Sequence, residues 1–165
     1  FAGHIVEAEV TDQEDQLFLL PLEKNNNTIH ITTEGLPPSQ DDIRAVIKAR
    51  NGSYKFDNTF ASDTEEINYI SSCLRDTDSQ LSGSLTIMRL HPDRRYPELI
   101  LENTTGNETL FQANLIDLIL KLQEKDNTID ITKSNTYNIH LEFSGDMDVT
   151  VSINGWEVVN DETEI

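Results

Sequence analysis

Residues 137–159 read Y-N-I-H-L-E-F-S-G-D-M-D-V-T-V-S-I-N-G-W-E-V-V. Tyr137, Ile139, Leu141 and Phe143 alternate with Asn138, His140 and Glu142; Val149, Val151 and Ile153 alternate with Thr150, Ser152 and Asn154. Successive side chains leave a strand on opposite sides, so this period of two predicts two strands, each with one buried face. Ser144-Gly145-Asp146 between them is turn chemistry and makes the pair a hairpin. A bend at Asn154-Gly155 follows, then Trp156, Glu157, Val158 and Val159, then an acidic tail, Asp161-Glu162-Thr163-Glu164. Val149, Val151 and Ile153 are expected in the core. The stretch from Glu157 onward is expected at a sheet edge, its charge discouraging unselective pairing.

Upstream, the same period recurs. Thr28–Thr33 is a β-branched strand ended by Gly35-Leu36-Pro37-Pro38. In 41–49, Ala, Arg and Lys favour helix, but Ile43, Ala45, Ile47 and Ala49 fall at every second position, which predicts a strand. Asn51-Gly52 is the strongest short hairpin signal in the chain and is expected to turn into a short strand over Ser53–Asp57. Residues 57–80 read as a long connection with one short strand around Ile67–Ser71. Leu81–Leu90 is a longer strand, and Glu98–Glu102 and Thr109–Ala113 flank a turn at Asn103–Asn107. The one helical pattern covers 114–124: Leu115, Leu118, Ile119 and Leu122 share a face, Asn114 is an N-cap, and Asp117 sits in the first turn. Many short strands and one helix predict a mainly β chain, a sandwich with Greek-key connections and one short crossover helix.

Leu17–Leu22 is an apolar run broken by Pro21, and Glu23-Lys24-Asn25-Asn26-Asn27 interrupts the pattern. Residues 1–22 are therefore expected to be the final hairpin of a preceding domain or the first hairpin of this one, with the sandwich over 23–165. Phe1 opens inside an apolar pattern, without a charged-then-apolar leader, so the sequence reads as a processed piece whose targeting signal lies upstream.

Thirty acids against twelve bases give a net charge of −18. Nucleic acid and anionic lipid bind through Lys and Arg that replace counterions, so neither is an expected partner. Cys73 is the single cysteine and can form neither an internal disulfide nor a zinc cluster; it is expected to be a small buried residue. His4, His30, His91 and His140 show no metal-ligand spacing, with His30 and His140 on the outward sets of their strands. No nucleophile elbow, P-loop or dinucleotide fingerprint occurs, and no catalytic residue is nominated. Asp41-Asp42, Glu65-Glu66, Asp126 with Asp130, and Asp146 with Asp148 are paired acids, too common in this chain to mark a hydrolase. No cofactor is expected. Calcium is the one metal the composition could serve, through Asp126, Asn127 and Asp130 or Asp146 and Asp148, although neither set fits an EF-hand. Asn26, Asn51, Asn103 and Asn107 head N-x-S/T triplets, which an Asn- and Thr-rich sequence generates by chance.

The order of these elements resembles the C-terminal domain of FimB-type fimbrial subunits, the anchor and accessory proteins of Bacteroidales type V pili. The resemblance is carried by N-N-N-T-I-H-I-T-T-E-G-L (25–36), N-G-S-Y-K-F-D-N (51–58), P-E-L-I-L-E-N (97–103), N-L-I-D-L-I-L (114–120), and Y-N-I-H-L-E-F through I-N-G-W-E-V-V (137–159). Fimbrillin-like surface proteins more broadly share the I-N-x-W ending. The resemblance implies a transthyretin-like Greek-key β-sandwich and a non-enzymatic subunit whose partners are other fimbrial subunits. It also implies assembly by strand donation at the surface of a Gram-negative bacterium. Membrane contact would come only through a lipid anchor outside this chain. Trp156, Glu157, Val158 and Val159 are the nominated assembly residues. Near a strand end Trp156 reads as a core or rim plug; in the second function class, a carbohydrate- or protein-binding adhesin module, it would be a sugar-stacking platform, and an acid-pair hydrolase is the third class.

Overall fold

The computed structural model describes residues 2–3, 22–37, 42–55, 61, 65–76, 79–94, 96–145 and 148–160. The described residues form twelve strands and one helix: β1 (Ala2–Gly3), β2 (Leu22–Glu23), β3 (Asn26–Glu34), β4 (Ile43–Ala49), β5 (Ile67–Ser72), β6 (Leu74–Arg75), β7 (Gln80–Met88), β8 (Glu98–Asn103), β9 (Glu108–Asn114), α1 (Leu115–Lys125), β10 (Thr136–Phe143), β11 (Val149–Ile153) and β12 (Trp156–Asn160). They form a six-stranded sheet in the order β12-β11-β10-β3-β7-β6, a four-stranded sheet in the order β5-β4-β8-β9, and a separate ladder of β1 with β2.

The two large sheets make a β-sandwich because each carries one apolar face. Ile29, Ile31, Tyr137, Ile139, Leu141, Val151 and Ile153 from the first sheet and Ala45, Ile47, Leu99 and Leu101 from the second are buried in one core. The polar residues alternating with them, such as His30, Asn138 and Glu142, point to solvent. Helix α1 carries the chain from β9, at the edge of one sheet, to β10 in the other, and buries Leu115, Ile116, Leu118, Ile119 and Leu122. Each such side chain withdrawn from water contributes about 1.5–3 kcal/mol. The Asn114 side chain accepts the Asp117 N–H at 3.0 Å, the N-cap that the sequence predicts.

The closing hairpin forms as expected, with Ile139 opposite Ile153 and Phe143 opposite Val149. On its other side β10 pairs in parallel with β3, from Thr136 opposite Thr28 to Glu142 opposite Glu34. Both strands therefore start at one end of the sandwich, and β12 finishes at the other, where Asn160 lies opposite Thr150. The outer edge of β7 is paired with β6 only at Leu81 and Ser82. Farther along, side chains from β5 stand in for a strand: Ser71 Oγ accepts the Ser84 N–H at 3.3 Å and Tyr69 Oη accepts the Met88 N–H at 3.4 Å.

Four expectations are corrected. Asn51-Gly52 is not a hairpin turn; β4 pairs with β5, whose first residue is Ile67. Tyr54 makes an isolated bridge where a strand over Ser53–Asp57 is predicted, with Phe56 and Asp57 outside the described residues. The connection after it carries two strands, β5 and β6, rather than one. Asn154-Gly155 is more than a bend: it is the two-residue turn of a second hairpin, with φ of 51° and 84°, the type I′ signature. The expected hairpin within residues 1–22 falls largely outside the described residues, which show Ala2 opposite Glu23 and Gly3 opposite Leu22.

Candidate functional site

The nominated residues sit on β12, one of the two outer strands of the six-stranded sheet. The type I′ turn fixes where this strand starts, because its backbone twist matches that of the two strands it joins. Asn154 also holds the turn to β10: its N–H donates to the Asn138 carbonyl at 2.8 Å, and its Oδ1 accepts the Asn138 N–H at 2.9 Å. Trp156 follows directly and is 48% exposed, although it is a large aromatic. Glu157 is exposed as well. Val158 points the other way and belongs to the core at 6% exposure. It is the extra residue of a bulge, since Ser152 faces Glu157 and Val151 faces Val159. The four residues therefore do not form one surface. Trp156 and Glu157 are exposed, Val158 is buried, and the side chain of Val159 and the acidic tail 161–164 lie outside the described residues.

Helix α1 braces this edge. The Lys125 ammonium donates to the Glu157 carbonyl. Asp126, the C-cap residue, holds a tight turn in which one carboxylate oxygen accepts both the N–H and the hydroxyl of Thr128, at 2.9 and 2.6 Å. Those two bonds hold the Asp126 carboxyl below the usual range, with a smaller contribution from the Trp156 indole. Asp130 repeats the turn with Thr132 and meets Lys133 at 3.0 Å; the Thr132 hydroxyl, Lys133 and the Thr132 N–H bring its carboxyl down to about 2. The roles of Lys125 and Asp126 at this edge escape a sequence reading. The second Asn-Gly, followed by W-E-V-V, was a legible signal for the extra hairpin.

The remaining nominations have structural surroundings. Asp126 and Asp130 each spend an oxygen on a turn, and Asp146 lies outside the described residues. Among the described residues no group of three or more His, Cys, Asp or Glu could hold a metal ion. His30 is exposed; His140 Nδ1 lies 2.9 Å from Thr32 Oγ1, and its Nε2 lies 3.8 Å from Glu34. His91 faces Asp93 at 3.6 Å, and His4 is outside the described residues. Cys73 is buried, and burial pushes its thiol up to about 11, as befits a packing residue rather than a nucleophile. Of the N-x-S/T asparagines, Asn51 and Asn103 are buried, Asn26 is half-buried, and Asn107 stands in an exposed turn at φ 48°. A groove of about 620 Å³ on the outer side of α1 is lined by Asp117, Leu120, Lys121, Gln123 and Glu124. Its two acids lie along one helix, not face to face across a cleft as glycoside hydrolysis needs.

The profile of the fimbrillin-A associated anchor proteins Mfa1 and Mfa2 matches residues 1–162. The chain belongs to that family. No curated protein matches the sequence. Among solved structures, the fimbrial anchor protein Mfa2 from Porphyromonas gingivalis is similar with a TM-score of 0.69 at 21% identity, over 91% of this chain and 56% of that one. Proteins from Bacteroides thetaiotaomicron described as a candidate polysaccharide-binding protein and as a candidate adhesin give TM-scores of 0.70 and 0.65 at 18% and 17% identity. They cover 85% and 83% of this chain, and 52% and 53% of theirs. At such identities the likeness is one of fold. The chain spans about half the length of the solved structures it matches. The match to the anchor family accords with the expected resemblance to fimbrial anchor and accessory subunits, and the two-sheet sandwich with the expected architecture.

Proposed function

We propose that this chain is a non-enzymatic structural domain of a fimbrial anchor or accessory subunit that joins other fimbrial subunits at the surface of a Gram-negative bacterium. The family match over residues 1–162 is the observation that carries this reading. Strand donation is the proposed mode of joining, and β12 is the proposed contact, because it ends a sheet and leaves Trp156 and Glu157 exposed. A strand added there would gain ladder hydrogen bonds along its backbone, while the Val158 bulge and the charge of Glu157 restrict which strand fits. Attachment to the outer membrane would come through a lipid on a part of the protein outside this chain. The test is the double substitution Trp156→Ala with Glu157→Lys, which leaves Val158 in the core. The folded variant is expected to be incorporated poorly into fimbriae when immunogold-labelled subunits are counted on cells. Normal incorporation would remove β12 from the contact.

A second reading, an adhesin module for neutral glycans, has one observation in its favour: the exposed indole of Trp156 beside the carboxylate of Asp126. Trp156 is the only tryptophan, so its fluorescence reports directly on the site. Titration with maltoheptaose, cellohexaose and mannohexaose is expected to shift the emission if this reading is right, and a flat response to all three sinks it.

A further inference from the structure

Arg89, just past the end of β7, ties together two other stretches of chain. Nη1 donates to the carbonyls of Thr132 at 3.1 Å and Ser134 at 3.4 Å; Nη2 donates to the Lys24 carbonyl at 2.5 Å and to Asn135 Oδ1 at 2.6 Å. The Arg89 N–H donates to the Asn25 carbonyl at 3.3 Å. Next to it Asn27, fully buried, donates to the Ser134 carbonyl and accepts the Leu90 N–H, both at 2.7 Å. The Thr28 N–H donates to the Asn135 carbonyl at 2.8 Å. Residues 24–28, 89–90 and 132–135 are thus knotted at the end where β3 and β10 both begin. A planar guanidinium with five donors can hold several acceptors at once, and its charge strengthens each bond.

The direction of the chain gives this knot a mechanical meaning. Lys24 leads into β3 at one end of the sandwich, and β12 leaves at the opposite end. Tension between those points runs along the strands. To slide, β3 must break its ladders to β10 and β7 together, and Lys24 must first leave Arg89. A pull on the other end of β3, at Glu34, would open the ladders one pair at a time.

We infer that the Arg89 knot and the parallel β3–β10 ladder form a tension clamp, which resists pulling between residue 24 and the C-terminal end of the chain and yields readily to pulling from the far end of β3. Its use in a fimbria rests on the reading above. The force measurement does not, so the two fail separately.

Single-molecule force spectroscopy on the full chain tests it, with one handle at the C-terminal end and the other on Lys24→Cys or on Glu34→Cys. Cys73 is 3% exposed, so the introduced thiol reacts in preference. Unfolding from residue 24 is expected to need about twofold more force than from residue 34 at the same loading rate, since forced unfolding reports the barrier rather than the equilibrium. Arg89→Ala is expected to lower the residue-24 force by about a third and to leave the residue-34 force unchanged. Arg89→Lys, which keeps the charge and loses the fork, should behave like Arg89→Ala. Equal forces from the two grips overturn the clamp. So does an equal drop at both grips, which would make Arg89 a general stabiliser. If Arg89→Ala does not fold, Arg89→Lys and the grip comparison on a chain with Arg89 intact decide.

Discussion

The chain contains the dipeptide Asn-Gly twice, and the two copies do opposite things. At 154–155 both residues take positive φ, Ile153 faces Trp156, and β12 is laid beside β11. At 51–52 neither residue has positive φ, and no strand returns along β4 from that point. Instead Asn51 is 2% exposed: its Nδ2 donates to the Met88 carbonyl at 3.0 Å, and its Oδ1 accepts the Tyr69 hydroxyl at 3.1 Å. That amide joins the end of one sheet to the other. The difference lies in what surrounds the dipeptide. Around 154–155, apolar residues alternate in register on both sides of the turn, so a hairpin buries side chains at once. After 52 there is no comparable run to pair, and the interior offers Asn51 two hydrogen-bonding partners instead. A turn signal is thus a local permission, and burial elsewhere decides whether it is used.

The contrast can be broken by substitution. Asn51→Ala should have the largest effect, about 2–3 kcal/mol lost in urea denaturation, because it removes a buried amide and takes the hydrogen-bond donor from the Met88 carbonyl and the acceptor from the Tyr69 hydroxyl. A loss as small as a surface substitution gives would mean that Asn51 is a loop residue after all. Gly155→Ala comes next. A Cβ there meets nothing within 4 Å, so its cost is the strained backbone at φ 84° alone, about 1–2 kcal/mol. Gly52→Ala should be the mildest, within about 0.5 kcal/mol of the parent. Its backbone is permitted, a methyl lowers the entropy of the unfolded chain, and the clash is with Cδ1 and Cγ1 of the half-buried Ile67, which can turn aside. If Gly52→Ala costs as much as Gly155→Ala, the two dipeptides are not as different as their backbones suggest.

Much of the fold was legible before the structure. The alternation in 28–33, 43–49 and 137–153 marked strands whose inner residues are now in the core, and the Leu115, Leu118, Ile119, Leu122 stripe with its Asn114 cap marked the helix. These signals are local and large, since each strand or helix must show one apolar face to fold at all. The candidate site was legible only in part. Glu157 is exposed as expected of an edge, but Trp156, read as a core or rim plug, is 48% exposed although it lies opposite the buried Ile153, and Val158 is buried; period counting cannot place the bulge between them and Val159. Lys125 and Asp126 are ordinary helix-end residues until packing brings β12 against them.

Taken by itself, the sequence determined that this protein is a mainly β chain with one amphipathic crossover helix, a strongly acidic surface and a closing hairpin. Periodicity and charge are properties of neighbours along the chain, and they hold whatever the chain meets later. Only the tertiary structure decided that β3 and β10, more than a hundred residues apart, run side by side in parallel. It also decided that Arg89 would gather carbonyls from both of their starts, and which Asn-Gly would be a turn. Those choices rest on which faces are buried together and on which buried polar groups need partners. That competition is settled only when the whole core closes.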